Sequence, residues 1–220
     1  MNPRQTGTTK RGNRPMKTER RNLALPAEVR AEGDAVTMRG YAYRFNELSH
    51  NLGGFRERII PGAGADALRA NDVLATFNHD MNNVLGRASS GTLRSGEDAE
   101  GGWYEIDLPN TTVGRDLAEL LKRGDVRGSS FTFSVNDGGQ RVHDVLDEET
   151  GLPIREITSM NVVELGPVLN PAYPTTDAGL SRSIALSLGI ADDTTDSRES
   201  VPFHPARDLV RALLHKGGVQ

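Results

Sequence analysis

Two polar side chains in this sequence have the chemistry needed for acyl transfer: His79 and Ser130. Histidine is the side chain whose ordinary pKa lies near neutrality, so it can accept the proton of an otherwise inert hydroxyl. Ser130 follows Gly128 and precedes an alternating run, so we expect a glycine-led turn that presents the hydroxyl and a backbone N–H together. This pairing predicts a nucleophile with its general base.

The residue types alone also fit a plainer explanation. Serines are common in turns that lead into strands, and a histidine in a chain with five of them can be an ordinary packed or surface residue. His50 and His143 lie in polar surroundings and are expected at the surface. His204 and His215 lie near the end of the sequence, far from the other candidates.

Short alternating or apolar runs around these residues predict strands. Residues 103–108 alternate clearly and stop at Pro109, and residues 131–135 alternate before a turn at residues 136–139. Further strand candidates share alternating or β-branched apolar residues: 35–44, 73–77, 154–157 and 161–168.

Helical spacing occurs at residues 62–70, after Pro61, and more clearly at residues 112–123. Thr112 is a candidate N-cap for the second helix, and Gly124 is a stop signal. The apolar stripe of that helix consists of Val113, Leu117, Leu120 and Leu121.

Composition divides the 220 residues into one domain with two tails. Residues 1–22 are basic with little apolar content and are expected to form a disordered arm. Residues 23–180 form the expected folded domain. Residues 181–220 form a polar linker followed by a short amphipathic helix at residues 209–214.

Several classes of function are disfavoured by composition. The sequence has no cysteine, which excludes disulfides and a cysteine nucleophile. No apolar run approaches the ~18 residues of a membrane span. The net charge of −4 argues against nucleic-acid binding. Because neither a metal-ligand cluster nor a phosphate-binding loop is visible, we expect no metal and no cofactor.

Three blocks of sequence carry a family resemblance. The first contains residues 40–46 (GYAYRFN), 57–63 (ERIIPGA), 78–80 (NHD) and 84–87 (VLGR). The second is residues 120–133 (LLKRGDVRGSSFTF). The third is residues 157–168 (ITSMNVVELGPV) followed by 170–174 (NPAYP). In this order and at about this spacing, the blocks resemble the prohead maturation proteases of tailed bacteriophages, across roughly residues 39–178.

The resemblance implies an α+β fold class: an antiparallel β-barrel with peripheral helices, similar to the herpesvirus assembly proteases. It implies a serine endopeptidase that processes capsid and scaffold proteins, and itself, during prohead maturation. The implied partners are the major capsid protein with its scaffolding segment, the portal protein and further copies of this chain. The implied location is the inside of the immature prohead, in the cytoplasm of the host cell.

On this resemblance Ser130 is the expected nucleophile, with Ser129 as its competitor, and His79 is the expected general base. Glu164 is the expected third member, because it lies between apolar neighbours where an unpaired carboxylate would be costly. An exposed edge-strand glutamate is the plainer explanation. Asp80 is an alternative partner for His79, although on a strand the two adjacent side chains would point to opposite faces.

For the oxyanion we expect backbone N–H groups of residues 127–130, with Gly128 and Ser129 as candidates, and the side chain of Arg87. These donors would stabilise negative charge on the attacked carbonyl oxygen.

Two positions depart from the pattern of similar chains. Thr132 stands where they usually carry glycine, and Gly166 stands where they usually carry serine. These departures motivate an alternative from another class: a catalytically inactive capsid assembly or scaffolding factor that retains the protease fold.

Overall fold

The computed structural model describes residues 17–24, 27–32 and 35–169. Within these ranges the chain is mostly β-structure. In chain order the elements are β1 (Thr18–Leu23), β2 (Glu28–Glu32), β3 (Ala35–Arg44), β4 (Arg56–Ile59), α1 (Ala65–Ala70), β5 (Leu74–Phe77), β6 (Asp80–Arg87), β7 (Leu93–Glu97), β8 (Gly101–Asp107), α2 (Thr112–Arg123), β9 (Gly128–Val135), β10 (Gln140–Leu146), β11 (Pro153–Ile157) and β12 (Met160–Val168). In this part of the chain, no helix is long and apolar enough to cross a membrane.

Three sheets are formed by these strands. The largest has the order β1-β9-β12-β5-β6, a second has the order β2-β3-β8-β7, and a third has the order β10-β11-β4. The first sheet carries the candidate residues. Ser130 lies on β9, Glu164 lies on β12, and His79 lies in the turn between β5 and β6.

The expectation of a mostly β fold with few helices is confirmed, but a closed antiparallel barrel is not found among the described residues. Two pairings are parallel, β12 with β5 and β11 with β4, so two of the three sheets are mixed, whereas the sheet β2-β3-β8-β7 is antiparallel. Among the described residues the ladders form three separate sheets rather than one closed ring. A parallel bridge between Phe45 and Ile59 joins the end of β3 to β4.

The face of β9 that carries its phenylalanines packs into the core. Phe131 and Phe133 are buried and stack with ring centroids 4.9 Å apart, and Tyr43 packs against Phe131 at 5.0 Å. Because side chains alternate along a strand, Ser130 and Thr132 lie on the opposite face of β9. The predicted alternation therefore places the apolar residues in the core and the polar pair toward β12 and β5.

Local sequence signals account for several elements. The bounds of β3 and α2 agree with the predicted ranges. Helix α2 buries Leu117, Ala118 and Leu121 and ends at Gly124, whose φ of 76° is the left-handed conformation of a glycine cap. The N-cap is Thr111 rather than the predicted Thr112; its side chain accepts a hydrogen bond from the N–H of Gly114.

The boundary predicted for the N-terminal arm is wrong. Residues 18–22 belong to strand β1, which pairs antiparallel with β9. A polar sequence (TERRNL) forms a strand here because its backbone is satisfied by β9 and its buried charges are satisfied by other strands. Residues 1–16, the linker and helix predicted within 181–220, His204, His215 and the block at residues 170–174 lie outside the described residues.

Candidate active site

The polar face of β9 lies beside β12 in a fixed register. Thr132 is paired with Glu164, and Ser130 is paired with Gly166. Directly opposite residues in an antiparallel pair share one face, so Glu164 and the two hydroxyl residues lie side by side. This arrangement places a carboxylate two residues along the sheet from a serine.

His79 occupies the two-residue turn between β5 and β6. Both turn residues have positive φ, 56° for Asn78 and 58° for His79, as in a type I′ hairpin turn. Asn78 fixes the turn to the end of β12: its N–H donates to the carbonyl of Pro167 and its side-chain oxygen accepts from the N–H of Leu169. The predicted strand position of His79 is therefore corrected to a turn, which aims the ring across the sheet.

The three expected residues form one continuous chain of contacts. His79 Nδ1 lies 2.6 Å from Glu164 Oε2, and His79 Nε2 lies 2.6 Å from Ser130 Oγ. The carboxylate is acceptor-only when ionised, so Nδ1 carries a proton toward Glu164 and Nε2 is left to accept from the serine. The geometry is that of a nucleophile, a base and an orienting acid.

Glu164 is held ionised in a buried position. Its side chain is 4% exposed and accepts hydrogen bonds from Thr76 Oγ1 at 2.6 Å and Thr132 Oγ1 at 2.8 Å in addition to His79. Burial by itself raises the pKa of Glu164, but these hydrogen bonds and the attraction to His79 lower it below its ordinary value. The stabilisation is therefore complete above the ordinary carboxyl pKa and is lost as the pH falls through the lower folded value.

The structure separates the two adjacent serines. Ser129 points to the other face of β9, where its Oγ lies 2.6 Å from the hydroxyl of the buried Tyr104. Ser130 is the one whose hydroxyl contacts His79. Gly40 leaves the space for this Ser129–Tyr104 pair, because a Cβ there would lie 2.9 Å from the tyrosine oxygen.

The alternative residues have other partners. Asp80 accepts hydrogen bonds from Asn82 and Asn83 at the start of β6 rather than contacting His79. Arg87 donates to Asp72 at 2.6 Å with both side chains nearly half exposed. Its predicted role as an oxyanion donor draws no support from these contacts and stays a prediction.

The predicted glycine-led turn at Ser130 is wrong. Strand β9 already begins at Gly128, so Gly128, Ser129 and Ser130 lie within a ladder between β1 and β12. Glycine at this position continues the strand rather than reversing the chain. Because successive N–H groups of a strand alternate between its two edges, at least one of these three candidate oxyanion donors is directed toward β1.

Thr76 completes the site without having been expected from the sequence, and the sequence marked Thr132 and Gly166 only as departures from the pattern of similar chains. Gly166 has a φ of 156°, and a Cβ there would lie 2.0 Å from the carbonyl oxygen of Thr76. Glycine thus allows β5 to approach β12 closely, which brings the Thr76 hydroxyl to Glu164. The one available sequence signal was the pair of departures from the pattern of similar chains.

Among the described residues, no group of three or more His, Asp or Glu side chains is arranged to hold a metal ion.

Comparisons with known proteins give one family match. The model of a family described as caudovirus prohead serine protease matches residues 25–187, more than half of the chain. The comparison with curated proteins gave no match. Among solved structures the chain is similar to the bacteriophage T4 capsid assembly protease gp21, at 11% identity over 72% of this chain and 100% of that chain, with a TM-score of 0.48.

Gly166→Ala should destabilise the protein and reduce activity together, since the new Cβ would push β5 and the His79 turn away from Glu164. We expect a loss of about 1–3 kcal/mol in the free energy of unfolding, measured by chemical denaturation. Gly91→Ala is the control: its φ is also positive, 71°, but a Cβ there meets nothing within 4 Å. Equal losses in both variants would show that backbone conformation, and not close approach, makes glycine necessary.

Thr132→Val should lower the free energy of unfolding by about 1–3 kcal/mol, because it removes a hydrogen bond to a buried charge at nearly constant volume. Thr37→Val is the matched control, since Thr37 donates to the half-exposed Asp107. Denaturant titration of both variants measures the difference. A cost at Thr132 no larger than at Thr37 would mean that the hydroxyl does not support Glu164.

Proposed function

The chain belongs to the caudovirus prohead serine protease family, and we propose that Ser130 is its nucleophile, His79 its general base and Glu164 the acid that orients the base. The family makes the protein a serine protease that acts in prohead maturation. The observation that supports these residue roles is the unbroken series of contacts from Ser130 through His79 to Glu164, each 2.6 Å long.

Peptide-bond cleavage at this site proceeds in two halves. Ser130 Oγ attacks the carbonyl carbon of the scissile bond while His79 Nε2 takes the hydroxyl proton. When the tetrahedral intermediate collapses, the C–N bond breaks and His79 gives that proton to the leaving amine. Water, deprotonated by the same nitrogen, then attacks the acyl-serine; the bond to Ser130 Oγ breaks, His79 returns the proton to Oγ and the new carboxylate is released.

Glu164 acts through His79 in this mechanism. Its ionised carboxylate accepts the Nδ1 proton, which holds the ring in the tautomer whose Nε2 can accept from Ser130. The same negative charge stabilises the imidazolium that forms during attack. Hydrogen bonds from Thr76 and Thr132 keep the carboxylate in place.

A prohead protease acts on capsid and scaffold proteins, which are therefore the substrates and partners of this chain. We infer further that the chain cleaves itself, that it contacts the portal protein and other copies of itself, and that it works inside the immature prohead in the host cytoplasm. The three sheets are also proposed to belong to a barrel of the herpesvirus-protease type, supported by the bridge from β3 to β4. The protease domain is proposed to span residues 23–180, with strand β1 at its N-terminal boundary.

The alternative of an inactive assembly factor rested on Thr132 and Gly166. Thr132 donates a hydrogen bond to Glu164, and Gly166 accommodates the backbone of Thr76. Neither departure removes an atom that the chemistry needs. The described residues therefore favour the active enzyme over the assembly factor.

Ser130→Ala should abolish cleavage and leave the fold intact, with a loss of several orders of magnitude in rate. The assay is co-expression with the phage's major capsid protein, followed by mass spectrometry that maps new termini. Ser129→Ala is the control and should retain the cuts. Cuts that persist in Ser130→Ala and vanish in Ser129→Ala would transfer the nucleophile to the neighbouring residue.

Glu164→Gln should reduce the rate by up to ~10⁴-fold, because an amide cannot stabilise the imidazolium. Initial rates of the wild-type and variant enzymes on one peptide substrate measure this effect. A Glu164→Gln enzyme with the wild-type rate would contradict the assignment of Glu164 as the orienting acid.

A further inference from the structure

The hydroxyl of Ser130 is covered by the chain's own strand β1. Ser130 has no exposed surface, and its Oγ lies 3.0 Å from the backbone carbonyl oxygen of Arg21. A serine hydroxyl has one proton, so it can donate either to this carbonyl or to His79 Nε2, but not to both. As long as β1 occupies this place, no other peptide can reach the nucleophile.

Strand β1 is placed where a substrate strand would bind. It forms the edge of the five-stranded sheet and pairs antiparallel with β9, with Asn22 opposite Ser130 and Arg21 opposite Phe131. An extended peptide that adds to a sheet edge gains its affinity from backbone hydrogen bonds and its specificity from pockets for alternate side chains. β1 also precedes the range matched by the family model, which begins at residue 25.

The side chain of Arg21 fills a site that is built for a guanidinium. It binds Glu57 through two hydrogen bonds, from Nε to Oε1 at 2.8 Å and from Nη2 to Oε2 at 3.0 Å. The Glu57 side chain is 3% exposed, and the guanidinium lies 5.5 Å from the centre of the Phe133 ring. A two-pronged carboxylate with an aromatic wall recognises arginine by both charge and shape.

Glu19, two residues earlier on β1, fills a second site of opposite charge. Its two oxygens accept from Arg155 at 2.8 and 2.9 Å, and the Arg155 side chain is 2% exposed. Arg155 also donates to Glu57 at 2.7 Å. The cluster therefore has no net charge: β1 supplies Glu19 and Arg21, β4 supplies Glu57 and β11 supplies Arg155.

Departure of β1 would leave Glu57 and Arg155 each with fewer partners in a buried place, which is costly. A strand that carries an acidic residue and, two positions later, an arginine restores both contacts. Glu57 and Arg155 thus favour peptides with the same Glu-x-Arg pattern that β1 itself contains.

We propose that β1 is a substrate segment docked in cis, with Glu57 and Arg155 as the residues that set specificity for Glu-x-Arg and with the Arg21–Asn22 bond as the first bond cut. This inference rests on the proposed function of Ser130. Ser130 Oγ attacks the carbonyl carbon of Arg21, and His79 passes the Oγ proton to the nitrogen of Asn22. Hydrolysis of the acyl-serine leaves a carboxylate at Arg21 and a new amino terminus at Asn22.

Release of residues 18–21, the part of β1 that precedes the cut, then changes the site in two ways. The edge of β9 becomes available to other extended peptides, and the β9 N–H groups that had been directed toward β1 become free to bind the carbonyl oxygen of an incoming substrate. The uncut chain is therefore latent, and the cut chain is open to capsid and scaffold segments of the same pattern.

The test uses the wild-type full-length protein and synthetic peptides of residues 17–26 (KTERRNLALP). Intact-mass analysis should show a product that begins at Asn22, absent from Ser130→Ala purified in the same way. Wild-type enzyme should cut the peptide after Arg21, and Arg21→Gln in the peptide should slow this cut by about 10²-fold or more. Arg20→Gln is the matched peptide control, because the Arg20 side chain is exposed on the face of β1 away from Glu57 and Arg155, where its Nε donates to Thr132 Oγ1 at 3.3 Å.

Glu57→Gln in the full-length protein should slow the cut after Arg21. The remaining cleavage should still require Ser130, so it should disappear when Ser130→Ala is added. If this variant fails to fold, the peptide comparison with wild-type enzyme still decides the specificity. Cuts that depend on Ser130 but fall elsewhere, or equal rates for the Arg21→Gln and unmodified peptides, overturn the inference and leave the proposed function standing. Complete absence of Ser130-dependent cleavage, on the chain, the peptides and the capsid protein, overturns both.

Discussion

A buried carboxylate that must remain ionised determines how this sheet is arranged. Glu164 on β12 is satisfied by three donors, and each comes from a different segment: Thr132 from β9, Thr76 from β5 and His79 from the following turn. An ionised group in this setting is stable only if all its partners are in place. The parallel pairing of β5 with β12, which an antiparallel barrel would not contain, is what brings two of the three donors within reach.

A second set of buried charges lies at the edge strand of this sheet, β1. Arg21 and Glu19 of β1 meet Glu57 and Arg155 there, while the backbone of Arg21 touches Ser130. Burial raises the cost of each charge, yet the attraction of Glu57 and Glu19 raises the pKa of Arg21 above its ordinary value. The two charge clusters are therefore connected through Arg21, so that a displacement of β1 would change the surroundings of Ser130, the proposed nucleophile.

Local patterns predicted the parts of the fold that depend on near neighbours. The alternation in Ala35–Arg44 and the stripe and glycine cap of Thr112–Arg123 are properties of consecutive residues, and both agree with the structure. Glu164 was predictable because its apolar neighbours required a partner for the carboxylate, and the resemblance supplied His79 and Ser130. Strand β1 was not predictable from its own residues, since a polar hexapeptide becomes a strand only when distant residues neutralise its charges. The same holds for Thr76, whose contact with Glu164 depends on the register between strands 88 positions apart.

The turn that carries His79 has a consequence for how the enzyme would lose activity. A non-glycine residue with positive φ is strained by about 1 kcal/mol or more. Two hydrogen bonds of Asn78 hold this hairpin tip at the end of β12, one donated to Pro167 and one accepted from Leu169. Opening of the tip relieves this strain and leaves the core around Phe131 and Phe133 packed, but it also removes one of the three hydrogen-bond donors to the buried Glu164 carboxylate. Local opening of the turn and loss of the His79–Glu164 contact are therefore one event, and mild heating or denaturant should release the proposed base before the core unfolds, so that inactivation precedes unfolding and is reversible.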